Sequence, residues 1–130
     1  MPIIRAETLI DSFKYAFEGI AYTLKTQRNM RIHSVVGFLV FLAGLYFKVS
    51  RLELAILVMV ASTVVVAEMI NTAIESAIDL YSRQRHPLAK IAKDVAAAAV
   101  LISAFAAAIV GLLILGPPFF DLAINKLKLF

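Results

Sequence analysis

The feature that most constrains this chain is an uninterrupted apolar run near its C-terminal end. Val95 to Leu115 form 21 consecutive positions without a charged side chain. About 20 apolar residues of α-helix are needed to cross the hydrocarbon core of a bilayer, which is roughly 30 Å thick. Hydrophobic residues make up 62% of the whole sequence, whereas soluble domains contain roughly 45–50%. The run therefore predicts a membrane-spanning helix, and the composition predicts an all-α integral membrane protein.

Two further segments have the apolar character of spanning helices. A first span is predicted at 32–49 and a second at 52–81, and the long apolar run places a third at 88–115. The uncharged part of the first span is short, so we expect flanking side chains to extend their polar ends to the membrane surface. At this length the three spans predict a single membrane domain covering residues 1–130.

The segments outside the spans are predicted to be a surface helix and a short tail. Residues 5–26 carry apolar side chains at helical spacing on one side and charged side chains on the other. This pattern is typical of an amphipathic helix that lies on a membrane surface. Gly116, Pro117 and Pro118 predict the end of the third spanning helix, which leaves 117–130 as the tail.

The distribution of basic residues predicts the orientation of the chain. Residues 1–31 contain five Lys or Arg, residues 82–93 contain four, and the rest of the chain contains four. Because cytoplasmic loops carry the excess of positive charge, we expect the N-terminus and the 82–93 connection in the cytoplasm. Three spans then place the C-terminus outside. Anionic lipid headgroups explain the net charge of +4, so no nucleic-acid partner is expected.

Four polar side chains of the second span share one side of the helix. Glu68, Asn71, Glu75 and Asp79 are spaced at i, i+3, i+7 and i+11. At about 100° per residue they fall within roughly an 80° sector, which we call the polar face. Ionisable groups inside a membrane are costly when they face lipid and normally mark a functional site.

The depth of this face indicates which substrates could reach it. Glu68 lies about 24 Å along the helix from Leu52, which places it just inside the cytoplasmic boundary of the hydrocarbon core. Glu75 lies about 10 Å further toward the cytosol. One end of the polar face can therefore meet a lipid hydroxyl, while the other can meet an anionic, water-soluble co-substrate.

The start of the third span supplies charges that complement these carboxylates. Lys90, Lys93 and Asp94 lie at its cytoplasmic end. Lys93 can neutralise a phosphate, and Glu75 with neighbouring acids can hold Mg²⁺. Glu68 can accept the proton of an attacking hydroxyl. Since phosphoryl transfer requires little beyond positioning, a metal and a base, these residues predict a lipid kinase.

Simpler roles remain open for several of these residues. For Asp79 the alternative is a role as a solvated or capping residue, and for Lys90 it is a role as a positive anchor at the membrane surface. His86 precedes a proline in a polar connection, where a plain loop role is expected, and His33 is expected to be interfacial.

A function of another class is also open. The same polar face could belong to a non-catalytic ion-conducting or scaffold oligomer, although a cation path would not need Lys93 and Asp94 beside its acids. Soluble nucleotide folds are not indicated, because the sequence contains neither a P-loop nor a G-x-G-x-x-G string. Cysteine is absent, which excludes thiolate metal sites and disulfides.

Three strings resemble one family of bacterial membrane enzymes. They are "RNMRIH", "EMINTAIESAID" and "HPLAKIAKDVAAAAVLI". With the order of the helices, over roughly residues 8–115, they are similar to the prokaryotic diacylglycerol kinase and undecaprenol kinase family. "SFKYAFEGI" and "RNMRIH" look more like the undecaprenol kinase branch. The resemblance implies an enzyme that transfers phosphate from ATP to undecaprenol, with diacylglycerol as the alternative acceptor.

The resemblance also implies an assembly and a set of site residues. Family members are homotrimers of the bacterial cytoplasmic (inner) membrane that use MgATP, and neighbouring protomers share the active sites. By position, Glu68 matches the catalytic base and Glu75 a metal ligand. The residues that match other parts of the active site and the nucleotide site are Asn71, Asp79, Lys93 and Asp94, with Tyr15 and His86 near the nucleotide.

One position departs from the family pattern. A glutamate that acts as a second metal-binding carboxylate often stands immediately before "RN", and here the residue is Gln27. A neutral amide offers a carbonyl oxygen to a cation but brings no charge. Gln27 is therefore expected either to hold the metal more weakly or to leave that task to another acid, such as Glu18.

Overall fold

The computed structural model describes residues 8–81 and 86–128, and every regular element within them is an α-helix. The predicted all-α class is thereby confirmed for this part of the chain. Residues 5–7 of the predicted surface helix, residues 82–85 of the basic connection and residues 129–130 of the tail lie outside the described residues. The helices are α1 (Leu9–Thr26), α2 (Arg28–Tyr46), α3 (Arg51–Tyr81) and α4 (Pro87–Leu127). Three of them, α2 to α4, are long and apolar enough to cross a membrane.

Capping boxes define where α1 and α3 begin. The Thr8 hydroxyl accepts a hydrogen bond from the Asp11 amide at 3.2 Å, and the Thr8 amide donates to the Asp11 carboxylate at 3.1 Å. At α3 the Ser50 amide donates to Glu53 at 2.7 Å, and the Glu53 amide donates to the Ser50 hydroxyl at 3.2 Å. Each pair satisfies amides that the first turn of a helix leaves without a partner.

The tight turn between α2 and α3 contains a residue in the left-handed region. The Val49 amide donates to the Gly44 carbonyl at 3.1 Å, and the Lys48 amide donates to the Leu45 carbonyl at 3.2 Å. These two bonds form a Schellman motif, which normally places glycine where the chain turns left-handed. Here Lys48 occupies that position with a φ of 54°. The turn therefore holds α2 and α3 antiparallel at the expense of some backbone strain.

The α4 helix does not end where the sequence predicts. Instead of stopping at Gly116, it continues through Pro117 and Pro118 to Leu127, so the predicted 117–130 tail is helical as far as the structure describes it. Each proline lacks the amide that would bond the carbonyl four residues earlier. Unwinding the segment would break the hydrogen bonds of the surrounding backbone groups as well. The loss of two hydrogen bonds is therefore the smaller penalty, and the helix continues.

The α3 helix lies at the centre of the bundle. It packs along α4 and along α2, whereas α2 and α4 meet at only a few points. Gly37 permits the close approach of α2, because a Cβ there would lie 3.3 Å from the Cβ of Ala61. The buried apolar core is small and consists of Met30, Leu57, Val64, Ala96 and Val100.

Most of the remaining helix surface is apolar and exposed. Phe105 and Leu112 of α4 and Phe38 of α2 are typical of these uncovered side chains. Exposed apolar area on this scale is expected where lipid or other protein chains provide the surroundings. The incomplete contact between α2 and α4 also leaves an open groove above α3.

Candidate active site on the polar face of α3

Three buried polar side chains form a cluster on α3. Glu68, Asn71 and Thr72 are all buried, and Glu68 retains only 2% of its accessible surface. Among the described residues it is the one buried charged side chain. The Thr72 hydroxyl donates to the backbone carbonyl of Glu68 at 2.9 Å, so it uses the main chain and leaves the carboxylate free. A carboxyl group held in such surroundings can exchange a proton with a nearby hydroxyl.

The next turn of the polar face joins an amide to a second carboxylate. The Asn71 Nδ2 group donates to Glu75 Oε1 at 3.2 Å, which fixes the two side chains relative to each other. Asn71 Oδ1 is buried and has no hydrogen-bond partner in the described part of the chain. Buried acceptors are rarely left unpaired in proteins. This oxygen is therefore available to a donor that the described residues do not supply.

Two ion pairs lie near the polar face, where α3 ends and α4 begins. Lys93 Nζ of α4 lies 2.5 Å from Asp79 Oδ1 of α3, so the pair joins the two helices just beyond Glu75. Lys90 Nζ lies 2.5 Å from Asp94 Oδ2 within α4. Both pairs are largely exposed, and such pairs are stabilised by only about 0–1 kcal/mol. Their positively charged ends therefore stay accessible to an anionic co-substrate.

The structure brings His33 close to the polar face. His33 of α2 and Val64 of α3, which lies one helical turn before Glu68, line the same cavity between the helices. The sequence analysis assigned His33 an interfacial role and missed this proximity. A signal was present, since His33 lies inside the stretch between Arg31 and Lys48, which are the nearest charged residues on either side. The residue pattern of α2 alone could not show which side of α3 the His33 side chain faces.

Other residues that the resemblance assigned to the site lie around it. Tyr15 is exposed on α1, and Gln27 is the half-buried residue between α1 and α2. His86 caps α4, because its Nδ1 atom accepts a hydrogen bond from the Leu88 amide at 3.2 Å. Within the described ranges, the side chains of Tyr15, Gln27 and His86 form no hydrogen bond with the polar face. Their roles at the site stay predictions.

A residue that the sequence analysis did not single out braces the α1–α2 junction. The Arg31 Nη1 atom donates to the carbonyls of Leu24 and Lys25, each at 3.0 Å. These carbonyls belong to the last turn of α1 and would otherwise lack partners. Arg31 therefore fixes the direction in which α1 leaves the spanning helix α2.

The oxygen atoms available at the site favour a metal ion that binds together with a nucleotide over one that the protein holds by itself. The residues that the structure describes contain no group of three or more His, Cys, Asp or Glu side chains that could hold a metal ion. Mg²⁺ commonly binds through one or two carboxylates together with phosphate oxygens and water. The Glu75 carboxylate, which is held by the Asn71 amide, is a hard oxygen donor of this kind. The chain therefore fits Mg²⁺ held jointly with phosphates.

An apolar groove runs between α2 and α4 and ends beside the polar face. Its volume is about 690 Å³. At one end it is lined by His33 and Val64, one helical turn from Glu68, and at the other by Phe119 and Phe120. Small residues, such as Ala108, line its middle. We call this feature the α2–α4 groove, and it places an apolar path next to the buried carboxyl group.

Comparison with known proteins decides the family. The sequence model of the prokaryotic diacylglycerol kinases matches residues 14–115. The chain belongs to this family. The match includes the polar face, the charged start of α4 and most of the α2–α4 groove. It ends immediately before Gly116.

The relatives of this chain are named after two different lipid acceptors. A diacylglycerol kinase of Synechocystis sp. is 44% identical over 120 residues, which cover 92% of this chain and 69% of the relative. An undecaprenol kinase of Bacillus subtilis is 40% identical over 106 residues, which cover 82% of this chain and 86% of the relative. The diacylglycerol kinase of Escherichia coli K12 is 27% identical over 101 residues, covering 78% and 83% respectively.

Membership of the diacylglycerol kinase family confirms the predicted enzyme class. The chain is a lipid phosphotransferase with an alcohol acceptor, and the family implies that it uses ATP. The alternative of a non-catalytic ion-conducting or scaffold oligomer is not favoured by any of these relatives. Both acceptor names occur at similar identity, so membership alone does not separate undecaprenol from diacylglycerol.

Proposed function

We propose that this kinase phosphorylates a long, single-chain polyisoprenoid alcohol of the undecaprenol type. The observation that carries the proposal is the shape of the α2–α4 groove and its position beside Glu68. Diacylglycerol is the second candidate, because the Synechocystis relative at 44% identity bears that name. The two acceptors both present a primary hydroxyl but differ in the number and length of their hydrocarbon chains.

The groove is long and apolar enough to hold a hydrocarbon chain. On α4 its lining runs from Ala104 to Phe120, or about 24 Å at 1.5 Å per residue. Its volume is about 690 Å³, and apart from His33 its lining side chains are apolar. A hydrocarbon chain that enters beside Glu68 can therefore lie along the groove between α2 and α4.

The length of the groove also favours a chain longer than one leaflet. Half of a hydrocarbon core of roughly 30 Å is about 15 Å, which is the depth available to the acyl chains of diacylglycerol. The groove continues past this depth to Phe119 and Phe120. A single polyisoprenoid chain would fill it along its whole length, whereas the acyl chains of diacylglycerol would leave the far part empty.

The residues of the polar face have complementary roles in the proposed transfer. The acceptor hydroxyl would donate its hydrogen bond to the unpaired Asn71 Oδ1 atom or to Glu68. As the hydroxyl oxygen attacks the γ-phosphorus of ATP, the bond to the β-phosphate oxygen breaks, ADP leaves, and Glu68 takes the proton. Mg²⁺, when bound with the phosphates, supplies charge neutralisation for the transferring group.

Charged side chains at the end of the bundle would bind the nucleotide. Lys93 would contact the phosphates, and Asp79 would hold its ammonium group in place through the 2.5 Å pair. Glu75 would provide the protein ligand for Mg²⁺, with Asn71 holding its carboxylate in position. Asp94 would act in the same way on Lys90. By the family resemblance, Tyr15 and His86 would lie near the nucleotide, and Gln27 would occupy the position of a second metal ligand.

We further propose that the working form is a homotrimer in the bacterial cytoplasmic membrane. The extensive exposed apolar surface of the single chain supports this proposal, because neighbouring protomers would cover part of it. Neighbouring protomers would then share the active sites. The excess of Lys and Arg in 1–31 and 82–93 supports a cytoplasmic N-terminus and active site. In this arrangement α1 lies along the cytoplasmic surface.

The test of acceptor choice is a direct competition between lipids. The purified protein is reconstituted in phospholipid vesicles with radiolabelled MgATP and equal mole fractions of undecaprenol and diacylglycerol, and products are separated by thin-layer chromatography. We expect undecaprenol to be phosphorylated with at least about tenfold higher kcat/KM, equivalent to about 1.4 kcal/mol. Preference for diacylglycerol would overturn the undecaprenol proposal and support the second candidate.

A matched pair of substitutions tests the groove itself. Ala108 lines the groove and Ala106 does not, although both are exposed on the same helix. Ala108→Leu should lower kcat/KM for undecaprenol about tenfold or more and spare a short-chain alcohol, whereas Ala106→Leu should leave both unchanged. Equal effects of the two variants would contradict binding of the acceptor chain in the groove.

A further inference from the structure

The α4 helix is too long to be accounted for by one crossing of the membrane. It contains 41 residues from Pro87 to Leu127, which corresponds to about 62 Å at 1.5 Å per residue. The hydrocarbon core is roughly half of that length. With Val95 to Leu115 inside the core, Gly116–Leu127 continue for about 18 Å on the side away from Lys93. We call this part of α4 the extension.

The extension has an apolar side that nothing in the described chain covers. Phe119, Phe120, Ile124 and Leu127 are all exposed, Phe120 to 66% and Leu127 to 75%. At about 100° per residue these four side chains fall within roughly a 140° arc. The charged residue Asp121 lies on the opposite side. A straight helix would hold this apolar arc in water beyond the far membrane boundary.

Two prolines stand where the extension leaves the hydrocarbon core. Pro117 and Pro118 lie inside α4 and carry no amide hydrogen, so the carbonyls of Leu113 and Ile114 lack their usual helical partners. Helices bend sharply at such positions. The place at which α4 can change direction therefore coincides with the membrane boundary.

The composition of the extension matches the interfacial layer of a bilayer. The rings of Phe119 and Phe120 pack edge to face with centroids 6.4 Å apart, and aromatic residues concentrate at membrane–water interfaces. Lys126 and Lys128 follow on the polar edge and at the end of the helix. Such ammonium groups can reach lipid phosphates while the apolar arc meets acyl chains.

We propose that the extension, Gly116–Leu127, lies within the headgroup layer of the leaflet opposite the polar face, with phospholipids as its partner. The apolar arc points into the acyl region, and Lys126 and Lys128 contact the phosphates. The extension would then hold the far end of α4 at the membrane surface, adjacent to the Phe119–Phe120 end of the groove. This placement does not depend on the identity of the lipid acceptor.

Fluorescence from a single tryptophan tests the depth of the extension. The sequence contains no Trp, so Phe120→Trp in the full chain is a unique probe. The variant is reconstituted in phosphatidylcholine–phosphatidylglycerol vesicles containing lipids brominated near the headgroup or near the chain end, with iodide as the aqueous quencher. Phe105→Trp, in the middle of the span on the same helix, is the matched control.

The expected pattern separates interfacial from aqueous and protein-covered positions. Phe120→Trp should be quenched most by the shallow brominated lipid and little by iodide, while Phe105→Trp should be quenched most by the deep one. Strong iodide quenching without bromine quenching would overturn the proposal, because the extension would stand in water. Protection from both quenchers would also overturn it, because another protein chain would cover the extension.

A second probe keeps the test independent of the behaviour of one variant. Cysteine is absent from the chain, so Ile124→Cys carrying an environment-sensitive fluorophore reports from the same apolar arc. It should show the same shallow-lipid quenching.

Replacing the two prolines tests the bend in α4. Pro117→Ala with Pro118→Ala restores both missing amides and should increase iodide access to Phe120→Trp at least about twofold. Unchanged access would contradict a bend at the prolines.

Discussion

Replacing Glu68 with glutamine tests the centre of the proposed chemistry. The substitution keeps the size of the side chain but removes its ability to accept a proton. A positioned general base contributes about 10²–10⁴-fold to rate, so kcat should fall by that factor, equivalent to about 2.7–5.5 kcal/mol in activation free energy. Glu68 is only 2% exposed, so bulk water has little access with which to replace it as proton acceptor.

The same substitution should not destabilise the fold. The Thr72 hydroxyl bonds to the backbone carbonyl of residue 68, not to its side chain, so that bond survives. No Lys or Arg of the described residues forms an ion pair with Glu68. An amide also avoids the cost of burying a charge without such a partner, which is several kcal/mol for an ion. The melting temperature of Glu68→Gln should therefore equal or exceed that of the parent protein.

The assay pairs turnover with thermal unfolding, and a second glutamate serves as control. Phosphorylation of undecaprenol is measured in vesicles, and unfolding is followed by circular dichroism in detergent. Glu53→Gln removes the same charge from the far end of α3, where Glu53 caps the helix, and should leave turnover near the parent value. If Glu68→Gln keeps a tenth or more of the parent kcat, Glu68 is not the base.

Three further predictions follow from named contacts. Lys93→Met removes the 2.5 Å pair with Asp79 and should raise KM for ATP at least about tenfold. A double-mutant cycle with Asp79→Asn should show a coupling of about 0.5–3 kcal/mol in kcat/KM. Additive effects of the two substitutions would mean that the two residues act independently. Asn71→Leu should lower kcat because it removes the unpaired acceptor and the 3.2 Å bond to Glu75; parent activity in steady-state kinetics would exclude that role. Lys48→Gly should stabilise the protein by about 1 kcal/mol, since its φ of 54° favours glycine; denaturant titration in mixed micelles would show the opposite sign if the turn were unstrained.

The local pattern of residues could predict much of the fold and of the site. A bilayer requires long apolar helices, so the uncharged run ending at Leu115 had to span it. The spacing of Glu68, Asn71 and Glu75 placed them on one side of α3 because helical geometry is set by the backbone alone. In the structure Asn71 and Glu75 are joined by a hydrogen bond. Each of these features is a property of a single helix, so it can be predicted without knowing how the helices pack.

The sequence pattern failed where a local preference competed with the surroundings. Gly116, Pro117 and Pro118 are strong breakers in water, where an unwound backbone bonds to solvent. In the structure the helix nevertheless persists to Leu127, and each proline removes only one backbone hydrogen bond while the other backbone groups of the segment stay paired. The local preference of these residues was therefore outweighed by the pairing of the surrounding backbone.

Which helix faces meet was decided only by tertiary packing. Periodicity shows that His33 and Glu68 each lie on some side of a helix, but the rotation of α2 against α3 depends on close contacts such as Gly37 against Ala61. The Lys93–Asp79 pair likewise required α3 and α4 to pack along each other. The groove exists because α2 and α4 hardly touch. Sequence alone therefore determined the helices and their polar face, while packing assembled the site, because contacts between helices depend on the shapes of both partners.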